Sequence, residues 1–168
     1  MRRDRVDLLQ EMMAVREMDP EDGRWFSPIS QALAGLTAAQ AAWVAGDGMN
    51  TIWQLVNHLT FWTQFVTGRL AGGHPWGERI DNNATFGDPG DASDEDGWAR
   101  AVQGLRDAYS ELAAALSKQT DLDMERPLNS QRTPAATMVS GSVMHDAYHI
   151  GQIVLLRRMQ GSWRVLQL

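Results

Sequence analysis

Apolar positions recur every three or four residues over most of the chain, and no stretch shows the strict alternation of a half-buried strand. The first run, residues 4–17, sets Val6, Leu9, Met12 and Met13 at helical spacing. Pro20 and Gly23 interrupt it, and a second stretch at 27–36 carries Ile29, Leu33 and Leu36. Thr37-Ala-Ala-Gln40 has the form of a capping box and predicts a short helical turn through Trp43. The same signal, Thr51-Ile-Trp-Gln54, opens a helix whose period lasts to about residue 70, where Gly72, Gly73 and Pro75 end it. Residues 72–92, rich in Gly, Asp and Asn, are the least regular segment. Their length exceeds an ordinary bundle connection and reads as a functional lid or a crossover.

A third long helix is predicted over 93–118, with carboxylates in its first turn and an apolar stripe from Trp98 through Val102, Leu105, Tyr109 and Leu112 to Leu116. The fourth begins near Thr133-Pro134, a cap residue before the proline-tolerant first position, and reaches Met159 ahead of Gly161. Four main helices and no strands predict an all-α fold. It is expected to be a four-helix bundle of antiparallel long helices with a long crossover loop, a single domain over residues 1–168.

Composition changes this picture mainly by exclusion. The chain has 168 residues, 43% hydrophobic and 21% charged, which suits a globular domain. No apolar run approaches a membrane span, and Met1-Arg-Arg-Asp-Arg5 leads into a mixed polar stretch rather than an apolar signal block. A cytoplasmic protein without membrane contact is therefore expected. A net charge of −6 opposes binding to nucleic-acid phosphates. The absence of cysteine removes disulfides, thiolate ligands and a cysteine nucleophile, so any metal site must be built from nitrogen and oxygen. There is no glycine-rich phosphate loop and no nucleophile elbow.

The strongest chemical signal is His145-Asp-Ala-Tyr-His149. Residues i and i+4 lie about 40° apart around a helix and one turn along it, so both imidazoles face the same way. Taken alone, the pair could equally be two satisfied histidines of a core or surface. His58, midway along the second long helix beside Leu55, Phe61, Trp62 and Phe65, adds a third imidazole in apolar surroundings. Three imidazoles leave coordination positions open to water or substrate.

Around them, Trp62 lies one turn after His58 and is expected to wall a pocket. Tyr148 and Gln152 share the histidine side of the fourth helix, and either could orient an imidazole or bond a water; Gln152 could instead satisfy a buried polar group. Asp146 could accept a ligand N–H from the second helix, or serve as an interhelix acceptor. Asn57 faces sideways. His74, between glycine and proline, reads as an exposed loop residue without a ligand role. The tryptophans at 43, 53, 62 and 98 read as core or dimer-interface residues, and the methionines as core filler.

Asn50-Thr-Ile-Trp-Gln-Leu-Val-Asn-His58 together with Gly141-Ser-Val-Met-His-Asp-Ala-Tyr-His-Ile-Gly-Gln152 resembles the DinB-like superfamily of metal-binding four-helix bundles. That superfamily includes bacillithiol transferases and mycothiol-dependent maleylpyruvate isomerases. The resemblance extends to Trp25-Phe-Ser-Pro28, to Gln31-Ala-Leu-Ala-Gly-Leu-Thr37 and to Trp98; Phe26 stands where a histidine or tyrosine is expected in the closest relatives. It implies that the family's three histidine ligands fall on His58, His145 and His149, holding one divalent transition metal ion, zinc, nickel or iron. It implies further an enzyme of detoxification or stress response acting on a small electrophile. The activity would be of thiol S-transferase type, with a low-molecular-weight thiol, or of hydrolase type. A homodimer is expected, and a separate reading is a stress-response interaction module working as a dimer, with exposed Trp and Met side chains at its interface. The alternative is a non-catalytic metal-binding or structural bundle, which would close its site with a fourth protein ligand or lack a cavity reaching it.

Overall fold

Side chains just ahead of the helices set several of their starts, as the computed structural model of the protein shows over the residues it describes, 4–17, 26–73 and 79–163. Six α-helices form there: α1 (Arg5–Glu17), α2 (Ile29–Leu33), α3 (Ala38–Ala41), α4 (Ile52–Leu70), α5 (Glu95–Leu116) and α6 (Ala135–Met159). Two 3-10 turns, Ala84–Phe86 and Asp123–Glu125, lie in the connections, and no strand occurs among the described residues. The fold is all-α. Thr37 and Thr51 close both predicted capping boxes, each hydroxyl accepting from the N–H of the glutamine three residues on, which returns the bond. Asp94 caps α5 by accepting the Gly97 N–H at 2.8 Å.

Two elements depart from expectation. The stretch at 27–36 is helical only over Ile29–Leu33, because Gly35 turns the chain at φ +66°. At the start of α6, Pro134 itself occupies the cap position without a side-chain bond. The Thr133 hydroxyl, expected to cap it, instead accepts from Asn129 Nδ2 within the loop closed by Leu128 N–H and Thr133 O. The break expected at Pro20 and Gly23 lies outside the described residues.

Buried apolar residues fall into two clusters stacked along the helices. One holds Ile52 to Leu59 of α4, Trp98 to Tyr109 of α5 and Ile150 to Leu156 of α6. The other holds Val66 and Leu70 of α4, Leu112 and Leu116 of α5, Ala135 to Val143 of α6, and Val6, Leu9 and Met13 of α1. α4 and α5 enter the first cluster with their N-terminal halves and the second with their C-terminal halves, so these neighbours run the same way. α6 enters in the opposite order and runs against both. Parallel neighbours cannot be joined by a tight turn, which is why a long crossover separates α4 from α5. The order of the clusters also leaves a seam midway along α4 and α6, between Leu59 and Val66 on one and between Val143 and Ile150 on the other. No helix of the described residues is long and apolar enough to cross a membrane.

Candidate metal centre

His58 sits at the edge of the seam, on the face of α4 that packs inward, and is 2% exposed. Side chains of α4 fasten the crossover above it. Thr51 Oγ1 donates to Pro89 O at 2.8 Å, Gln54 Nε2 to Gly87 O at 3.1 Å, and Asn57 Nδ2 to Phe86 O at 3.3 Å. Gly90 completes the contact, since at φ +90° a Cβ there would meet the Trp53 indole at 2.5 Å. Fastened this way, the crossover lays the Phe86 ring flat on His58, centroids 3.9 Å apart and planes 6° from parallel. It also brings Thr85 Oγ1 to 2.5 Å from His58 Nδ1.

That contact fixes where the proton is. The Thr85 hydroxyl spends its hydrogen on Asn82 O at 2.6 Å, so toward His58 it can only accept. His58 therefore carries its hydrogen on Nδ1 and presents a lone pair at Nε2. His149 does the same, its Nδ1 donating to Gln152 Oε1 at 2.6 Å. Both Nε2 atoms point at His145 Nε2, at 3.1 Å from His58 and 3.0 Å from His149. A hydrogen on His145 Nε2 could serve only one of two converging lone pairs, whereas one cation serves all three nitrogens. These separations suit ligand atoms sharing an ion about 2.1 Å from each. The three residues form a group able to hold a metal ion, and no fourth His, Asp or Glu joins it among the described residues.

Burial keeps the imidazoles neutral. It pushes His58 down to about 3, helped by the neighbouring His149 and His145, and His145 down to about 4, helped by His149. His149 is also lowered by burial, against the opposing bond from Gln152. Neutral imidazoles bind a cation without first losing a proton, so the set is prepared for metal at neutral pH.

The other expected residues divide. Gln152 orients His149, as above. Trp62 stands edge-on to His58 and His145, at 6.3 and 6.5 Å between centroids. Tyr148, expected on the same side as the ligands, is 64% exposed and touches only the edge of His149. Position 148 is rotated about 100° from 149, enough to carry it to solvent. Asp146 makes the interhelix bond: its carboxylate, 1% exposed, takes Arg16 Nη1 of α1 at 2.6 Å. The acceptor for the His58 N–H is Thr85, which periodicity could not reveal because it lies in the aperiodic crossover. Asn57, read as facing sideways, helps hold that crossover. His74 lies outside the described residues.

A cavity of about 520 Å³ opens beside His145, within the range of small-molecule sites. Trp62, Phe65, Val66 and Met138 give it apolar walls, Ser142 and Asn82 line it with polar groups, and Arg69 also borders it. Compared with known proteins, residues 28–153 match the DinB superfamily. No curated protein and no solved structure matches the chain.

Proposed function

The chain belongs to the DinB superfamily, and from that premise we propose that it is a metal-dependent enzyme acting on a small electrophile, as a thiol S-transferase or a hydrolase in detoxification or stress response. The observation that carries the reading is the convergence of three neutral imidazoles, His58 and His149 buried and His145 half-buried, on one point at the wall of a cavity. A bundle using metal only for stability would be expected to close the site, and no fourth His, Asp or Glu joins the group among the described residues. When bound, a divalent ion such as zinc, nickel or iron supplies Lewis acidity and lowers the pKa of the water or thiol completing its coordination.

The chain's own part is preparation. Thr85 and Gln152 hold two imidazoles in the tautomer that exposes Nε2, and Phe86 stacks on the most buried of them. Trp62, Phe65 and Met138 keep bulk water from one side of the reacting molecule. A cytoplasmic setting, where low-molecular-weight thiols stay reduced, suits the transferase version.

A homodimer forms part of the proposal, but its contact differs from the Trp and Met surface expected. Trp53 and Trp98 are core residues, and Trp43 packs against the core. The exposed apolar stripe is instead Met144, Tyr148, Leu155 and Met159 on α6, with Gly151 between them. Its spacing of three and four residues is that of a helix seam.

Metal analysis of the purified protein, followed by a screen of thiols and electrophiles with and without chelator, tests the reading. Product that requires metal, and is lost in His145→Ala while helical content persists, is the expected result. Turnover indifferent to chelation, or no product from any thiol or with water, would remove it.

A further inference from the structure

Beyond the neutral imidazole of His145, the cavity has a charged wall. Arg69, in the last turn of α4, is 3% exposed and borders the same space as His145. Its Nη1 donates to Leu128 O at 3.0 Å, and its plane lies 4.8 Å over the Phe65 ring. The Nε–Nη2 edge has no acceptor among the described residues, and Nε is buried without a partner. No carboxylate pairs with this guanidinium among them. Ser142 Oγ, buried on the facing helix and bordering the same cavity, is also unpartnered.

A buried cation without a counter-ion is costly, and an unsatisfied N–H adds to the cost. The enzyme's net charge of −6 does not relieve it, because relief needs an acceptor at the guanidinium edge itself. The free edge offers two parallel N–H groups, the match for the two oxygens of a carboxylate. One guanidinium balances one negative charge. Trp62 and Arg69 stand seven residues, about 10 Å, apart along α4, with Phe65 and Val66 between them.

We propose that the cavity takes a carboxylate-bearing small molecule with an apolar body, its carboxylate on the Nε–Nη2 edge of Arg69 and its reactive end toward His145. This rests on the reading of the imidazoles as the reactive centre, and it names the substrate class for that centre. Phe65, Val66 and Met138 contact the apolar body, and Ser142 supplies a further hydrogen bond.

The test measures binding of 4-phenylbutyrate and of its neutral amide, 4-phenylbutyramide, to the zinc-loaded protein, to the metal-free protein and to Arg69→Gln. Charge-assisted bonds predict that the carboxylate binds roughly tenfold or more tighter than the amide in the wild-type protein, with or without zinc. Arg69→Gln should shrink the preference below about threefold while zinc content stays at one ion per chain. Equal affinities in the wild-type protein overturn the proposal. So does a preference that survives Arg69→Gln and vanishes without zinc, since the carboxylate would then sit on the ion.

Should Arg69→Gln fail to fold, proton NMR contacts in the wild-type protein decide. Contacts from the probe's ring to Trp62 or Met138 support the proposal, and their absence overturns it. If zinc does not bind at all, the metal reading falls, while the preference in metal-free protein still decides this one.

Discussion

Replacing Thr85 by valine removes a hydroxyl while keeping the shape of the side chain, so it deletes the acceptor for His58 and, in the loaded and metal-free protein alike, the bond to Asn82 O. In the metal-loaded protein His58 must keep its proton on Nδ1, because Nε2 is occupied. That N–H, in a residue 2% exposed, then has no acceptor. A buried unsatisfied donor costs about 1–3 kcal/mol. The metal-free protein has an escape: His58 can shift its hydrogen to Nε2 and donate to His145, 3.1 Å away. The penalty therefore falls mainly on the loaded state and appears as weaker metal binding. The expected drop is about 10- to 100-fold, the usual cost of losing a ligand's supporting acceptor. Competition against a chelating indicator measures it, and urea unfolding of the metal-free protein should show a smaller loss. Thr85→Ser, which keeps the hydroxyl, should restore most of the affinity. A folded Thr85→Val protein that binds metal within threefold of wild type would refute the assignment of tautomer and support.

Acid should destabilise the metal-free protein. Unfolded histidines titrate near 6.5, whereas the folded His58 and His145 resist protonation until about 3 and 4, and His149 is also lowered. Stability from these groups is full above pH 6.5 and is lost as pH falls toward 4. Asp146, pushed up to about 6 by burial against the pull of Arg16, gives the opposite slope, but it is one group against three. A urea midpoint at pH 5 equal to or above that at pH 7 would contradict this balance. Asp146→Ala leaves the Arg16 guanidinium, itself 1% exposed, with Glu17 as its remaining carboxylate partner and should cost up to about 3–5 kcal/mol; Arg16→Leu with Asp146→Leu should cost clearly less. Equal losses in chemical denaturation would show that the pair is not the cause. Leu155→Asp should turn a dimer into a monomer in sedimentation without changing metal content, and a wild-type protein already monomeric at tens of micromolar would dispose of the α6 contact.

Much of the site was legible because its largest parts are periodic. His58 lies on a periodic helix, His145 and His149 stand one helical turn apart, and the two capping boxes fix where α3 and α4 begin. Gln152 was readable for the same reason, lying three residues past His149 on one helix. What escaped was whatever depends on partners far apart in sequence or on aperiodic chain. Asp146 could be placed on a flank of α6, but its partner Arg16 is 130 residues away, and nothing local pairs them. Thr85 and Phe86 belong to a segment whose path is set by bonds to α4 rather than by its own pattern. Arg69 reads in sequence as an ordinary cation at a helix end, and only the packing of residues 128–130 and α6 around it makes it a buried wall.

The way α4 grips the crossover has an evolutionary consequence. Thr51, Gln54 and Asn57 bind main-chain carbonyls, which every amino acid supplies, so the grip does not depend on which side chain stands at 88. Thr85, Phe86, Gly87 and Gly90 are tied to their identities, the first two by what they touch and the glycines by positive φ and close approach to Asn57 and Trp53. Descendants of this scaffold can thus rewrite the neighbouring positions while the imidazoles keep their orientation, and a combinatorial library confined to residues 79–83 and 88 is the place to search for altered selectivity.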